Sequence, residues 1–239
     1  MPYADVNGLH LYYDDRGEGP PLVLLHGGLL TNENSYGPSL AAWAERHRVI
    51  AVELQAHGRT ADTDRPMTFE AMAADVVALL DHLGIDRADV YGFSLGGLTA
   101  YAMLVGHPGR VRRAVVAAAD FRNDRGGEVH EDRLPTEADF QAMQDSYAAL
   151  APDPSHFTAA AEKTSGLVHS FTGWTADDLR AIDVPVLVLI GDTDFILVPN
   201  AVEAYELLPQ GQLAVLPNHK HMDLMRSELV APVVEAFLA

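Results

Sequence analysis

The sequence predicts an α/β architecture, a mostly parallel sheet with helices on both faces, from three observations. Short apolar runs such as Leu22–Leu25, Val111–Ala119 and Val184–Ile190 have the length and composition of strands buried on both sides. Helical patterns alternate with them, which argues for parallel strands joined by crossover helices. The third observation is Ala88–Tyr101. A short strand (Ala88–Tyr91) runs through Gly92-Phe93-Ser94-Leu95-Gly96 into a small-residue helix ending near Pro108.

A serine flanked in this way by glycines, in a strand–turn–helix setting, sits on a tight turn with its hydroxyl pushed outward. Side chains at Gly92 and Gly96 would collide where strand and helix approach, and Ser94 must hold a sparsely populated backbone conformation. The first amide of the new helix, on Leu95, is free to bind an anion.

The other elements follow in order. Val6-Asn7-Gly8-Leu9 is a two-residue hairpin signal between Met1–Val6 and Leu9–Asp14, where Leu9, Leu11 and Tyr13 alternate. After a Gly/Pro loop, Leu22–Leu25 ends in His26-Gly27-Gly28-Leu29-Leu30. Leu40–Glu45 reads as helical, Val49–Glu53 as a strand, and Leu54–Met67 as a loop holding Ala56-His57-Gly58-Arg59-Thr60. Phe69, Met72, Ala73, Val76, Leu80 and Leu83 share one helical face, opened by Thr68 as N-cap and closed by Gly84.

Beyond the Val111–Ala119 strand, Asp120–Ile182 breaks the rhythm. It opens polar (Arg122-Asn123-Asp124-Arg125-Gly126-Gly127), becomes helix-like around Glu137–Leu150 and Phe157–Val168, and shows no strand pattern. So long a connection is far outside the usual handful of residues, so it reads as a helical cap over the C-terminal edge of the sheet. Alternation resumes with Val184–Ile190, Ala201–Leu208, Leu213–Leu216 and a final amphipathic helix, Leu224–Leu238. The reading is one domain, with core 1–120 and 183–239 and a cap insertion at about 121–182.

Composition narrows the function classes. With 48% apolar and 21% charged residues the chain has the balance of a soluble globular protein. No apolar run approaches the roughly 18 residues needed to cross a bilayer, and the N-terminus lacks the basic start and apolar stretch of a signal peptide. A cytoplasmic location is the expectation. There are no cysteines, which excludes disulfides and thiolate metal sites. The net charge of −18 repels phosphate backbones and anionic lipid, so neither nucleic acid nor a membrane surface is an expected partner. His130, His156 and His169 have no metal-ligand spacing. Neither Gly27-Gly28 nor Gly96-Gly97 forms a nucleotide loop.

Ligands bind an open α/β sheet outside the carboxyl ends of its strands. Those ends carry His26-Gly27-Gly28, Glu53, Ser94, Asp120, Asp192 and Asp194, and the segment with His219 and His221. A serine, a carboxylate and a histidine thus lie in that chain order on one edge.

Four segments carry a resemblance: Leu24-Leu25-His26-Gly27-Gly28, Ala56-His57-Gly58-Arg59-Thr60, Gly92-Phe93-Ser94-Leu95-Gly96-Gly97, and Pro185 through Asp194. The chain resembles the α/β-hydrolase fold family, of the cofactor-independent serine esterase, lactonase and perhydrolase type. The resemblance implies an eight-stranded, mostly parallel twisted sheet and hydrolysis of a carboxylic ester or lactone of a small to medium apolar substrate through a Ser94 acyl-enzyme. Perhydrolysis is implied as a side activity. His221 is the implied base, directly before the final helix, with His219 the competitor. Asp194 is the implied acid, in a Gly-x-x-Asp pattern begun by Gly191, with Asp120 the runner-up. The Leu95 amide and that of Gly28, with Leu29 next, are the implied oxyanion hole. His26 and His57 are expected to hold turns. No cofactor and no metal are implied, and a homo-oligomer is left open. Asp at position 94 would have implied dehalogenase or epoxide-hydrolase chemistry; Ser94 excludes it. Two other readings remain, a ligand-binding protein and a catalytically silent member of the fold. Phe140, Met143, Phe157, Phe171 and Trp174 are candidates either for lining a pocket or for packing cap on core.

Overall fold

The computed structural model describes residues 2–122 and 131–239. Its eight strands are β1 (Tyr3–Val6), β2 (Leu9–Arg16), β3 (Pro21–Leu25), β4 (Arg48–Val52), β5 (Ala88–Phe93), β6 (Val111–Ala117), β7 (Val186–Gly191) and β8 (Gly211–Leu216). They form one sheet in the order β1-β2-β4-β3-β5-β6-β7-β8. The β1–β2 and β2–β4 pairs are antiparallel and every other pair is parallel. The hairpin forms at Asn7 and Gly8, whose φ of 48° and 81° match the right-handed twist of the flanking strands.

Eight α-helices are described: α1 (Asn32–Ala44), α2 (Phe69–His82), α3 (Leu95–Gly106), α4 (Glu137–Leu150), α5 (Phe157–Ser170), α6 (Ala176–Arg180), α7 (Val198–Leu207) and α8 (Val230–Leu238). Two apolar cores sandwich the sheet. On one side α2, α3 and α7 bury Phe69, Met72, Tyr101 and Ala201 against the Val23, Val90 and Val116 face. On the other, Tyr36 and Trp43 of α1 and Val234 of α8 cover Leu24, Tyr91 and Val115. Strands covered on both faces are apolar over most of their length and so read as apolar runs; a fully buried exception is Asp89 of β5, which pairs with Arg112 and Arg113 of β6.

Three helices differ from expectation. α1 begins at Asn32 rather than Leu40, because the Thr31 hydroxyl accepts from the Asn34 amide and caps it. The final helix is shorter. Leu224–Arg226 makes only a 3₁₀ turn, and Ser227, whose hydroxyl accepts from the Leu229 amide (3.2 Å), breaks the run before α8. α6 was not anticipated, although Thr175 and Asp178 form a capping box at its start. Among the described residues between β6 and β7 there are α4, α5 and α6 and no strand. Lys163 of α5 meets Asp62 at 2.6 Å, His156 meets the same carboxylate at 3.2 Å, and Arg226 reaches Asp139 at 3.1 Å.

The β5–α3 turn is set by close approach of three segments. A Cβ on Gly96 would fall inside the carbonyl oxygen of Leu25 at the end of β3, and one on Gly92 inside that of Gly96. Backbone cannot yield there as a flexible side chain could. Gly96→Ala is therefore expected to cost on the order of 3 kcal/mol, a fall in Tm of roughly 6–12 °C for a chain of this length. Thermal denaturation of the purified variant checks this; an unchanged Tm would mean that β3 and α3 separate without penalty.

Candidate active site

β3 has β4 on one side and β5 on the other, so chain progression reverses across it and a crevice opens at the carboxyl ends of β3 and β5. His26 follows the first of these strands and Ser94 the second. Ser94 adopts φ 53° and ψ −114°, and its amide donates to the Ala117 carbonyl at 2.8 Å. Such a conformation costs a non-glycine residue about 1–3 kcal/mol and persists only where neighbours enforce it.

The Ser94 Oγ lies 2.9 Å from Nε2 of His221. On the other side of the ring, Nδ1 lies 2.9 and 3.1 Å from the two carboxylate oxygens of Asp194. Asp194 is 1% exposed and His221 4%. The Ile196 amide donates to Asp194 Oδ1 at 2.9 Å and steadies the carboxylate. Phe93 and Phe195 flank the imidazole, with ring centroids at 5.0 and 4.2 Å. Phe195 was not foreseen; adjacency to Asp194 was its only signal.

The competing residues are engaged elsewhere. His219 bonds Ser227 Oγ through Nε2 and the Pro217 carbonyl through Nδ1, both at 2.7 Å, and it fastens its own loop. Asp192 accepts from the His219 amide at 3.3 Å. Asp120 accepts from the Arg122 amide (3.0 Å) and from the Asn200 amide group (2.7 Å), and burial raises its carboxyl above the ordinary range. Glu53 is fully buried, accepts from the Arg59 backbone at 2.5 Å and pairs with its guanidinium at 2.8 Å; burial pushes its carboxyl up to about 7.

Gly28 and Leu95 both border the cavity that Ser94 and His221 face. Gly28 and Leu29 are the central residues of a turn closed by the Leu30 amide on the Gly27 carbonyl (3.2 Å), with Leu29 at φ 58°. That closure leaves the Gly28 amide outside the turn's own hydrogen bond. The first bond of α3 is Leu98 N–H to Ser94 C=O, so the Leu95 amide precedes the helical ladder. His26 donates from Nδ1 to the Gly27 carbonyl (2.8 Å) and accepts from the Leu54 amide at Nε2 (3.0 Å), which requires a neutral ring.

The cavity has a volume of about 750 Å³. Its wall is mainly apolar and includes Leu29 and Leu98, together with Phe140, Met143, Val168 and Phe171 from the 131–182 region. Of the other candidates there, Phe157 packs on Tyr147 (5.5 Å) and Trp174 on Phe171 (4.7 Å), outside the lining. His169 borders the cavity, His156 binds Asp62, and His130 lies outside the described residues. Among the described residues no group of three His, Cys, Asp or Glu is arranged to hold a metal, and no helix is long and apolar enough to cross a membrane.

A family described as the alpha/beta hydrolase fold matches residues 20–170, and the chain belongs to it. Among its relatives, a non-heme haloperoxidase of Rhodococcus erythropolis is 29% identical, over 92% of this chain and 93% of the relative. Carboxylesterase YbfK of Bacillus subtilis is 26% identical over 96% and 83%. A solved structure described as an N-acyl homoserine lactone degrading enzyme superimposes with a TM-score of 0.82 at 24% identity, over 99% of this chain and 100% of the other; at that identity the likeness is one of fold.

Buried histidines give the site a pH signature. Burial lowers His26 from 6.5 to about 3 and His57 to about 4. The unfolded chain takes up these protons near 6.5 and the folded chain does not, so each ring lowers stability as pH drops from 6.5 toward 4, while Glu53, raised by burial, acts in the opposite sense between about 7 and 4.5. Each ring contributes about 1.4 kcal/mol per pH unit in that window. His57→Gln should flatten the acid limb of stability against pH, measured by urea unfolding between pH 7 and about 4. A limb parallel to the parent's would show that His57 does not couple protonation to folding.

Proposed function

We propose that the chain is a serine hydrolase that cleaves a carboxylic ester or lactone of a small to medium apolar substrate. The observation that carries this is the hydrogen-bond chain Ser94–His221–Asp194 opening on a largely apolar cavity. An alcohol is a weak nucleophile near neutral pH and needs a neutral imidazole in reach, oriented by a carboxylate. Ser94 Oγ attacks the acyl carbon while His221 Nε2 takes its proton, and Asp194 holds the Nδ1 proton and balances the imidazolium. Leu95 and Gly28 amides receive the charge developing on the carbonyl oxygen. His221 then hands its proton to the leaving alkoxide, and water, deprotonated by the same ring, releases the acid and restores Ser94. No step calls for a cofactor. In this reading the insertion between β6 and β7, at about 121–182, is a cap on the core formed by 1–120 and 183–239, and Phe140, Met143, Val168 and Phe171 supply part of the cavity wall. The haloperoxidase name of one relative favours a second outcome at the same acyl-enzyme, in which hydrogen peroxide replaces water and a peracid forms. A ligand-binding or silent protein would not need all three groups in hydrogen-bond contact.

A fluorophosphonate should label the chain at Ser94 and fail to label Ser94→Ala. On a panel of esters and lactones graded by acyl length and ring size, His221→Ala should lose at least about 10³-fold in kcat, whereas His219→Ala stays within severalfold of the parent. Turnover that survives His221→Ala but not His219→Ala would overturn the assignment of the base. Labelling unaffected by Ser94→Ala would overturn the nucleophile.

A further inference from the structure

We propose that Asp120 is a recognition residue at the polar end of the cavity, taking an ammonium or other hydrogen-bond-donating group carried by the substrate. The inference rests on the reading of this cavity as the substrate site and narrows its substrate class.

The fold brings this carboxylate to the cavity. β6 ends at Ala117, whose carbonyl holds the Ser94 amide. Ala118 turns the chain in a left-handed conformation (φ 51°), and Ala119 packs over Gly97 at the start of α3. Asp120, three residues past Ala117, therefore stands within roughly 11 Å of the strand end that anchors Ser94. Among the described residues lining the cavity it is the one carboxylate. Two of its lone pairs are used, by the Arg122 amide and by Asn200, which lines the same wall. A carboxylate has about four such sites, so acceptor capacity remains for a guest.

Nothing in the proposed hydrolytic cycle uses this group, since His221 is already served by Asp194. The nearest cation in sequence, Arg122, lines the same cavity and its charge acts on Asp120, but its guanidinium pairs with Glu203 at 2.8 Å. His169, which also borders the cavity, bonds the Ser165 carbonyl at 2.7 Å. An anion kept beside an apolar wall loses hydration that a bound cation restores. The overall charge of −18 would also draw cationic esters toward the protein and repel anionic ones. The competing account makes Asp120 only a tie between the end of β6 and Asn200 of α7. A neutral amide could serve as such a tie; it could not discriminate charge.

Matched ester pairs separate the two accounts. In a Ser94→Ala background, which removes turnover, calorimetry would compare ethyl ε-aminocaproate with ethyl caproate, and aminohexyl acetate with hexyl acetate. The ammonium member of at least one pair should bind about tenfold more tightly, as a charge-assisted hydrogen bond allows. Adding Asp120→Asn should bring that ratio to within about twofold of one, and Asp120→Ala should do the same if the amide perturbs the loop. A ratio near one with Asp120 present, no binding of any of these esters, or a preference that survives both substitutions would overturn the proposal. The hydrolase reading is tested separately with Ser94 intact. An Asp120-dependent preference without fluorophosphonate labelling would leave the subsite standing and remove the reaction.

Discussion

The carbonyl oxygen of Leu25 lies so close to Gly96 that no side chain fits between them, and this backbone contact governs the rest of the site. It brings the end of β3 against the first turn of α3, so Gly28 and Leu95 border one cavity. It also leaves Ser94 no relaxed conformation. The Ala117 carbonyl fixes the Ser94 amide from the opposite side, so the strained residue is pinned by three successive sheet positions: β3, β5 and β6. Strain of this size is small against the two apolar cores that the same strands hold together.

A second close approach does for His221 what the first does for Ser94. A Cβ on Gly191 would fall inside the His219 carbonyl, so the loop after β8 lies directly on the end of β7. Thr193 donates to that carbonyl and Asp192 accepts from the His219 amide, both at 3.3 Å. Two loops from adjacent parallel strands are thereby stapled together, and Asp194 and His221 face each other as a consequence. The Asp194 carboxylate is deeply buried, but it accepts from the Ile196 amide as well as the imidazole, so its lone pairs are not left empty.

How much of this was legible follows from which forces are local. The turn at Ser94 could be read because its glycines answer steric demands within a few residues. The strands could be read because burial on both faces leaves few polar positions, such as Asp89. α1 was half hidden because Gly37 and Pro38 are poor helix formers, while the residues that hold it, Tyr36 and Trp43, act through the far face of the sheet. The last helix was overdrawn because apolar periodicity carries no trace of the Ser227 hydroxyl. That same hydroxyl distinguishes His219 from His221, two residues apart in a loop where no period assigns a direction. In the sequence only the Gly-x-x-Asp resemblance favours Asp194 over Asp120, and the structure gives each carboxylate its partner, His221 and Asn200 respectively.

The two halves of the cavity are held by different physics. Its floor is backbone packed on backbone, where a single methyl is not tolerated. The contacts from the 131–182 region to the sheet edge include polar ones: Lys163 and His156 on Asp62, Arg226 on Asp139, and Lys220 on the Asp132 carbonyl. Partly exposed pairs of this kind are worth about 0–1 kcal/mol each. Changing one of them leaves the turn at Ser94 untouched, and so does changing Phe140 or Met143, which project from that region into the cavity. The proposed nucleophile and the apolar side chains facing it thus rest on different contacts. Asp120 lies three residues past the strand that anchors the serine and borders the same cavity as Phe140 and Met143.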